Sequence, residues 1–168
     1  LSNSLRVAGD ELDEDIKNYV KRELNLAIGD VTAEQIKKQL GCAMPLMTEM
    51  SMEVKGRDLT DGLPRTIEIS SSQVEEAIKE SINQIVEVVK ITLEKTPPEL
   101  ASDIMEKGIV LAGGGGLIQN LDKLISLETG MPVYIAEDPL DSVVLGTEKT
   151  LQDLEKLRTV LKNSRKRR

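Results

Sequence analysis

The sequence predicts an α/β fold in which a smaller α+β lobe is inserted into an α/β lobe. Three observations carry this. Gly108-Ile109-Val110-Leu111-Ala112 is a short apolar run, β-branched in the middle, and reads as a buried strand. Four glycines, Gly113 to Gly116, follow it, and Leu117, Ile118, Leu121, Leu124, Ile125 and Leu127 then recur at helical spacing. The overall order is strand, a helical and hairpin region, a long helix, and then strand, loop, helix, strand and helix, as when one lobe interrupts another.

Composition bounds the rest. The 168 residues are enough for one domain or two small lobes with a buried core. A net charge of −7 with 39% hydrophobic residues fits a globular chain, not a disordered one. Phe and Trp are absent and only Tyr19 and Tyr134 are aromatic, so Leu, Ile, Val, Ala and Met must form the core. Aromatic stacking on bases is therefore unavailable, and the acidity opposes a nucleic-acid groove. The lack of histidine removes Ser-His-Asp and Cys-His catalysis and most zinc sites. Cys42 stands alone, so no intrachain disulfide can form and a reducing interior is the natural setting. No apolar run approaches a membrane span and no signal peptide is visible. Leu1 is not a natural initiator, and the chain reads as a piece of something longer.

Taken in order, Ser4 to Ala8 reads as a short strand ending at Gly9. Leu12, Ile16, Tyr19 and Val20 then form a helix face. Its first turn carries Asp10, Glu11, Asp13, Glu14 and Asp15, and Lys17, Lys21 and Arg22 follow, which matches the helix dipole at both ends. The sharper reading of that acidic cluster is a carboxylate metal site; the plainer one is a helix start. After Gly29-Asp30, Thr32 and Gln35 have the form of a capping box for a helix over Ile36 and Leu40 that stops at Gly41. Glu34 and Lys37 are neighbours on its face and read as an exposed ion pair.

Met50 to Val54 and Thr66 to Ile69 read as strands joined by a long turn-rich loop from Gly56 to Pro64. Ser70-Ser71-Ser72 supplies a cap. From Gln73 a long helix follows, with Val74, Ile78, Ile82, Ile85, Val89 and Leu93 on one stripe, widened by Val86, Val88 and Ile91. Thr96-Pro97-Pro98 ends it, and Pro98 opens a short helix over Glu99 to Glu106. Gly130 is a C-cap, Pro132 to Ile135 a strand, and Asp138-Pro139 the start of another helical stretch. Leu151, Leu154, Leu157 and Leu161 predict a closing helix. Arg165 to Arg168 read as a solvated basic tail, with contact to anionic lipid as the alternative.

The glycine stretch has two readings at this level. It is a tight strand-to-helix turn, or a place where backbone and helix N–H groups meet a phosphate or a polar ligand edge. It matches neither G-x-G-x-x-G nor the P-loop, and no Gly-Lys-Ser/Thr follows.

Five runs carry a resemblance: Leu5-Arg6-Val7-Ala8-Gly9-Asp10-Glu11-Leu12-Asp13, Gly29-Asp30-Val31-Thr32-Ala33-Glu34-Gln35-Ile36-Lys37, Gly62-Leu63-Pro64-Arg65, Leu93-Glu94-Lys95-Thr96-Pro97-Pro98-Glu99-Leu100 and Leu111-Ala112-Gly113-Gly114-Gly115-Gly116-Leu117. In order, over nearly the whole chain, they resemble the second half of the MreB family of bacterial actin homologues. The resemblance implies an actin-like ATPase domain, with a ribonuclease H-like α/β lobe at residues 1–10 and 79–162. It implies an inserted small lobe at 11–78 and a basic tail at 163–168. It implies that the turn Glu34, Gln35, Ile36 and Lys37 flanks the adenosine of ATP or ADP, and that Gly113, Gly114, Gly115 and Gly116 flank it from the other side. Gly9-Asp10 would come near the same cleft. The implied partners are further copies of the protein in filaments, the inner membrane surface and membrane adaptor proteins of the cell-shape machinery, with no nucleic acid. The implied location is cytoplasmic, at the inner face of the cell membrane.

The departures are as informative. The family's first domain and both phosphate loops have no counterpart here, so Mg2+ and the phosphates would be held mainly by that other half. A chain without those groups is expected not to hydrolyse ATP. Two strands would also be lacking at the sheet edge, leaving it open to pair. Gly116 stands where the family has a small polar residue. Gly56-Arg57-Asp58-Leu59-Thr60-Asp61 is similar to a run beside the nucleotide in eukaryotic actin, but by position that run corresponds to Gly9 to Asp13. Two alternatives remain: a non-hydrolysing actin-like partner-docking module, and half of an Hsp70-like chaperone ATPase.

Overall fold

The computed structural model describes residues 1–153. The first helix, α1 (Gly9–Glu23), buries Leu12, Ile16, Tyr19 and Val20, the stripe that the periodicity marks. Two residues, Leu26–Ala27, form β1, and α2 (Asp30–Leu40) follows with Ala33, Ile36 and Leu40 buried. Strands β2 (Ser51–Asp58) and β3 (Pro64–Ser70) pair antiparallel, and β1 pairs antiparallel with the far end of β2. The sheet order is β1-β2-β3.

The long helix α3 (Ser71–Glu94) crosses behind this sheet and buries Val74, Ile78, Ile82 and Val86. Its N-cap is Ser70, whose hydroxyl accepts from the Gln73 N–H while the Gln73 side chain accepts from the Ser70 N–H. This capping box satisfies two backbone donors at the point where strand becomes helix. Helix α4 (Pro98–Lys107) starts at a proline, whose lost N–H costs nothing in a first turn. Strand β4 (Ile109–Leu111) leads through a 3₁₀ turn (Gly114–Leu117) to α5 (Leu121–Thr129). Strand β5 (Val133–Ile135) pairs parallel with β4, and α6 (Ser142–Gln152) follows. The core joins α1, α2, α3, the inner face of the three-stranded sheet and α5 through Leu12, Ile16, Ile36, Ile78, Ile118 and Ile125.

Five expectations change. Residues 4–8 form no strand: no neighbouring strand among the described residues offers them a ladder, and an apolar run alone does not make one. Thr32 is not an N-cap. The helix begins three residues earlier, at Asp30, with Gly29 extended as its cap, so Thr32 lies inside the first turn. The hairpin loop shrinks to residues 59–63, because Gly56, Arg57 and Asp58 continue β2 against Arg65, Pro64 and β1. The glycines do not open an α-helix. Asn120 takes a left-handed conformation (φ 61°) and separates the 3₁₀ turn from α5, so the α-helical N-terminus lies past the glycines. Glu34 does not pair with Lys37, as described below. The predicted helix over Leu154, Leu157 and Leu161 and the tail Arg165 to Arg168 lie outside the described residues.

Candidate functional site

A cleft of about 790 Å³ opens between α2 and the glycine turn. Glu34, Lys37 and Lys38 line one wall, Gly114, Gly115 and Leu117 the other, and Ala8, Gly9, Leu12, Ile118 and Leu140 complete it. The two walls are tied together by backbone. The Ala43 N–H donates to the Gln119 carbonyl at 2.8 Å, and the Gln119 N–H donates to the Gly41 carbonyl at 3.1 Å. The segment leaving α2 therefore forms a parallel bridge with the segment entering α5.

Lys37 is the most constrained polar group of the cleft. Its Nζ donates to Asp13 Oδ2 at 2.8 Å and to the Gly9 carbonyl at 2.9 Å. Only 14% of the Lys37 side chain and 16% of the Asp13 side chain remain exposed. An ammonium has three donors, so one is left over. Glu34 pairs with Lys38, at 2.8 Å one turn further along the helix. The Lys38 ammonium bonded to it holds the Glu34 carboxyl below its usual pKa range. Sequence reasoning paired Glu34 with Lys37; the approach of α1 gives Lys37 a more enclosed partner. Gln35 is exposed and Ile36 is fully buried in the core, and neither lines the cleft.

The four glycines have different reasons. Gly113 sits at φ +80°, ψ 173°, a region that side chains with a Cβ avoid, and its N–H donates to the Pro139 carbonyl at 2.6 Å. Gly116 is buried, and a Cβ there would lie 3.3 Å from Leu111 Cβ. Gly115 meets nothing within 4 Å, and Gly114 only Leu140 at 3.7 Å. Neither backbone strain nor packing demands glycine at Gly114 and Gly115. Both line the cleft, and a Cβ at either would meet open space or, at Gly114, only the Leu140 side chain.

Gly9 lines the cleft as the first residue of α1, not as a strand end. Asp10 faces a different recess with Asp13, Glu14, Lys17 and Asp30. The Lys17 ammonium bridges Asp30 and Glu14 there, each at 2.7 Å, which raises its pKa above the ordinary lysine value. No group of three or more acidic or cysteine side chains among the described residues is placed to hold a metal ion. The run Gly56 to Asp61 is absent from the cleft lining. Asp58 instead accepts from Arg65 and from the Thr60 N–H, and Asp61 accepts from the Leu63 N–H. Asp13, Lys38, Leu117 and Leu140 are the parts of this site that the sequence did not single out. The acidic cluster drew attention to Asp13 as part of a helix start or a carboxylate metal site, not as a partner of Lys37.

The fold is that of the actin-like proteins. It superposes on MreB5 of Spiroplasma citri bound to ADP with a TM-score of 0.89 and 41% identity, covering 93% of this chain and 47% of that one. On the same protein bound to AMPPNP the TM-score is 0.88 with 40% identity, covering 98% and 48%. The MamK double helical filament shares the fold at a TM-score of 0.67 and 23% identity, covering 81% and 42%. The family described as MreB/Mbl protein matches residues 1–159. The cell shape-determining protein Mbl of Bacillus subtilis (strain 168) is 45% identical over 156 residues, covering 93% of this chain and 47% of Mbl. The cell shape-determining protein MreB of Escherichia coli (strain K12) is 47% identical over 154 residues, covering 92% and 44%. The chain belongs to the MreB/Mbl family. It spans a little under half the length of the curated relatives it matches.

Proposed function

We propose that this chain is the second half of an MreB-like cytoskeletal protein and supplies the adenosine side of its ATP or ADP site. The observation that carries the reading is the cleft itself. Two glycines that packing does not require face a helix wall bearing Glu34, Lys37 and Lys38. One relative, MreB5 of Spiroplasma citri, is solved both with ADP and with AMPPNP, at 41% and 40% identity. In this reading Lys37 and Glu34 give polar contacts to the ribose and adenine edges, and Gly114 and Gly115 lie flat against the adenosine. Gly113 and Gly116 shape the turn, and Gln35 and Ile36 support the helix wall from outside and below. Magnesium and the phosphates are held mainly by residues outside this chain, which supply the charge stabilisation for hydrolysis.

The remaining features follow as parts of the same proposal. Among the described residues, 1–10 and 79–153 form the α/β lobe and 11–78 the inserted lobe. The β4–β5 pair, which has only two strands among the described residues, receives further strands along its open edges, and Val110, Tyr134 and Ile135 leave its faces exposed. The full-length protein assembles into filaments that guide cell shape at the inner face of the membrane, with membrane adaptors as partners. Among the described residues no helix is long and apolar enough to cross a membrane. A partner-docking module without ATPase activity is the second reading, and the same exposed β4–β5 face favours it.

Titration of ADP into the full-length protein tests the first reading. Lys37→Ala is expected to weaken binding about tenfold, the size of one charge-assisted hydrogen bond. An unchanged affinity contradicts the site. This chain alone is expected to show no ATP turnover; measurable turnover contradicts the division of labour between the halves.

A further inference from the structure

We infer that Asp13 is the positioning residue of the cleft, fixing the Lys37 ammonium so that its last free donor serves the nucleotide. The inference rests on the adenosine-site reading and deepens it. Lysine is a poor point of recognition by itself, because its four-carbon stem is flexible and its rotamer entropy opposes any single pose. Here two acceptors hold it. Asp13 Oδ2 and the Gly9 carbonyl both take hydrogen bonds from Nζ, and both lie within the first five residues of α1. The pair is mostly shielded from solvent, so Asp13 acts on Lys37 with little screening.

Two further details distinguish this contact from a generic tie between helices. Among the described residues, Asp13 Oδ1 is buried with no hydrogen-bond partner. A guanidinium fork could engage both oxygens. A lysine leaves one carboxylate oxygen bare and keeps one of its own donors unspent. The second detail is Gly9. A Cβ there would lie 3.2 Å from Lys37 Nζ, against the ammonium itself. The helix start is thus shaped around the lysine head, at a residue that also lines the cleft.

A double-mutant cycle in the full-length protein, read by ADP titration and by thermal melting, tests this. Lys37→Ala and Asp13→Asn are each expected to raise the ADP Kd, about tenfold and about fivefold, with the double variant no weaker than Lys37→Ala alone. Lys37→Arg is the second arm. Its fork can engage both Asp13 oxygens, so melting is expected to hold or rise while ADP binding weakens by at least threefold, by about that factor or more. If Asp13→Asn does not fold, the arginine arm decides. Asp13→Asn with wild-type ADP affinity beside a weakened Lys37→Ala overturns the positioning role and leaves the adenosine site standing. Strict additivity in the cycle, or Lys37→Arg with wild-type affinity, overturns it equally. Wild-type affinity in Lys37→Ala removes the adenosine-site reading itself, and the positioning role with it.

Discussion

The two ends of the α3 helix face different surroundings. Its first half packs against α1, α2 and the three-stranded sheet, where Ile16, Val20, Leu26, Ile36 and Ile78 are almost wholly buried. Beyond its last turn lie α4, the β4–β5 pair and α6. Neither α4 nor α6 has a buried residue, and Val110, Val143 and Val144 are mostly exposed. The first region encloses its own core and the second does not. The difference separates a region that covers its own apolar side chains from one that leaves them uncovered among the described residues. The cleft lies where the two meet, with a helix wall from the closed region and a glycine wall from the open one.

The largest effects should fall in the closed region. Ile78→Ala is expected to cost about 2–5 kcal/mol, whereas Val143→Ala in α6 should stay within about 0.5 kcal/mol, both read from urea denaturation midpoints. Equal losses would erase the contrast between the regions. Next comes Gly113→Ala, expected to cost about 1–3 kcal/mol because the residue occupies a backbone region reserved for glycine. Removing the α3 cap by Ser70→Ala should cost about 1 kcal/mol. The remaining effect concerns pH and is confined to alkaline solution. Burial, with Glu75 nearby, pushes the Cys42 thiol from an ordinary value of 9.0 up to about 11. The unfolded chain therefore releases this proton first, so stability falls as pH rises from about 9 to about 11. A Cys42→Ala variant measured over the same range should show a shallower decline.

The sequence made the closed region legible because its helices repeat. Leu12, Ile16, Tyr19 and Val20, and Val74, Ile78 and Ile82 of the α3 stripe, mark a face by spacing alone and are buried; further along that stripe Ile85, Val89 and Leu93 are only half-buried, and the flanking Val86 is buried instead. Local signals succeeded where local chemistry decides, as in the capping box at Ser70. They failed where the deciding partner is distant in sequence. Strand β1 is two residues long and exists only through pairing with β2. Val54 alternates visibly, but Gly56 to Asp58 looked like turn residues because their partners, Leu26 and Ala27 on one side and Pro64 and Arg65 on the other, are brought together only by folding. Thr32 offered a good cap, yet Gly29 takes that place, and Asp30 in the first turn is held by Lys17 of α1. In the cleft, Lys37 stood beside Glu34 in sequence but pairs with Asp13, 24 positions away. The family resemblance brought the two walls to attention; spacing alone would have left Lys37 in a surface ion pair.

The central claim is that Gly114 and Gly115 are glycines for the ligand and not for the fold. Gly115 has no neighbour within 4 Å and no left-handed backbone, so Gly115→Val isolates that claim. The decisive measurement is ADP titration into full-length Gly115→Val beside its melting curve. The account predicts a Kd raised about tenfold or more with melting close to wild type. Wild-type affinity with an intact fold would contradict it.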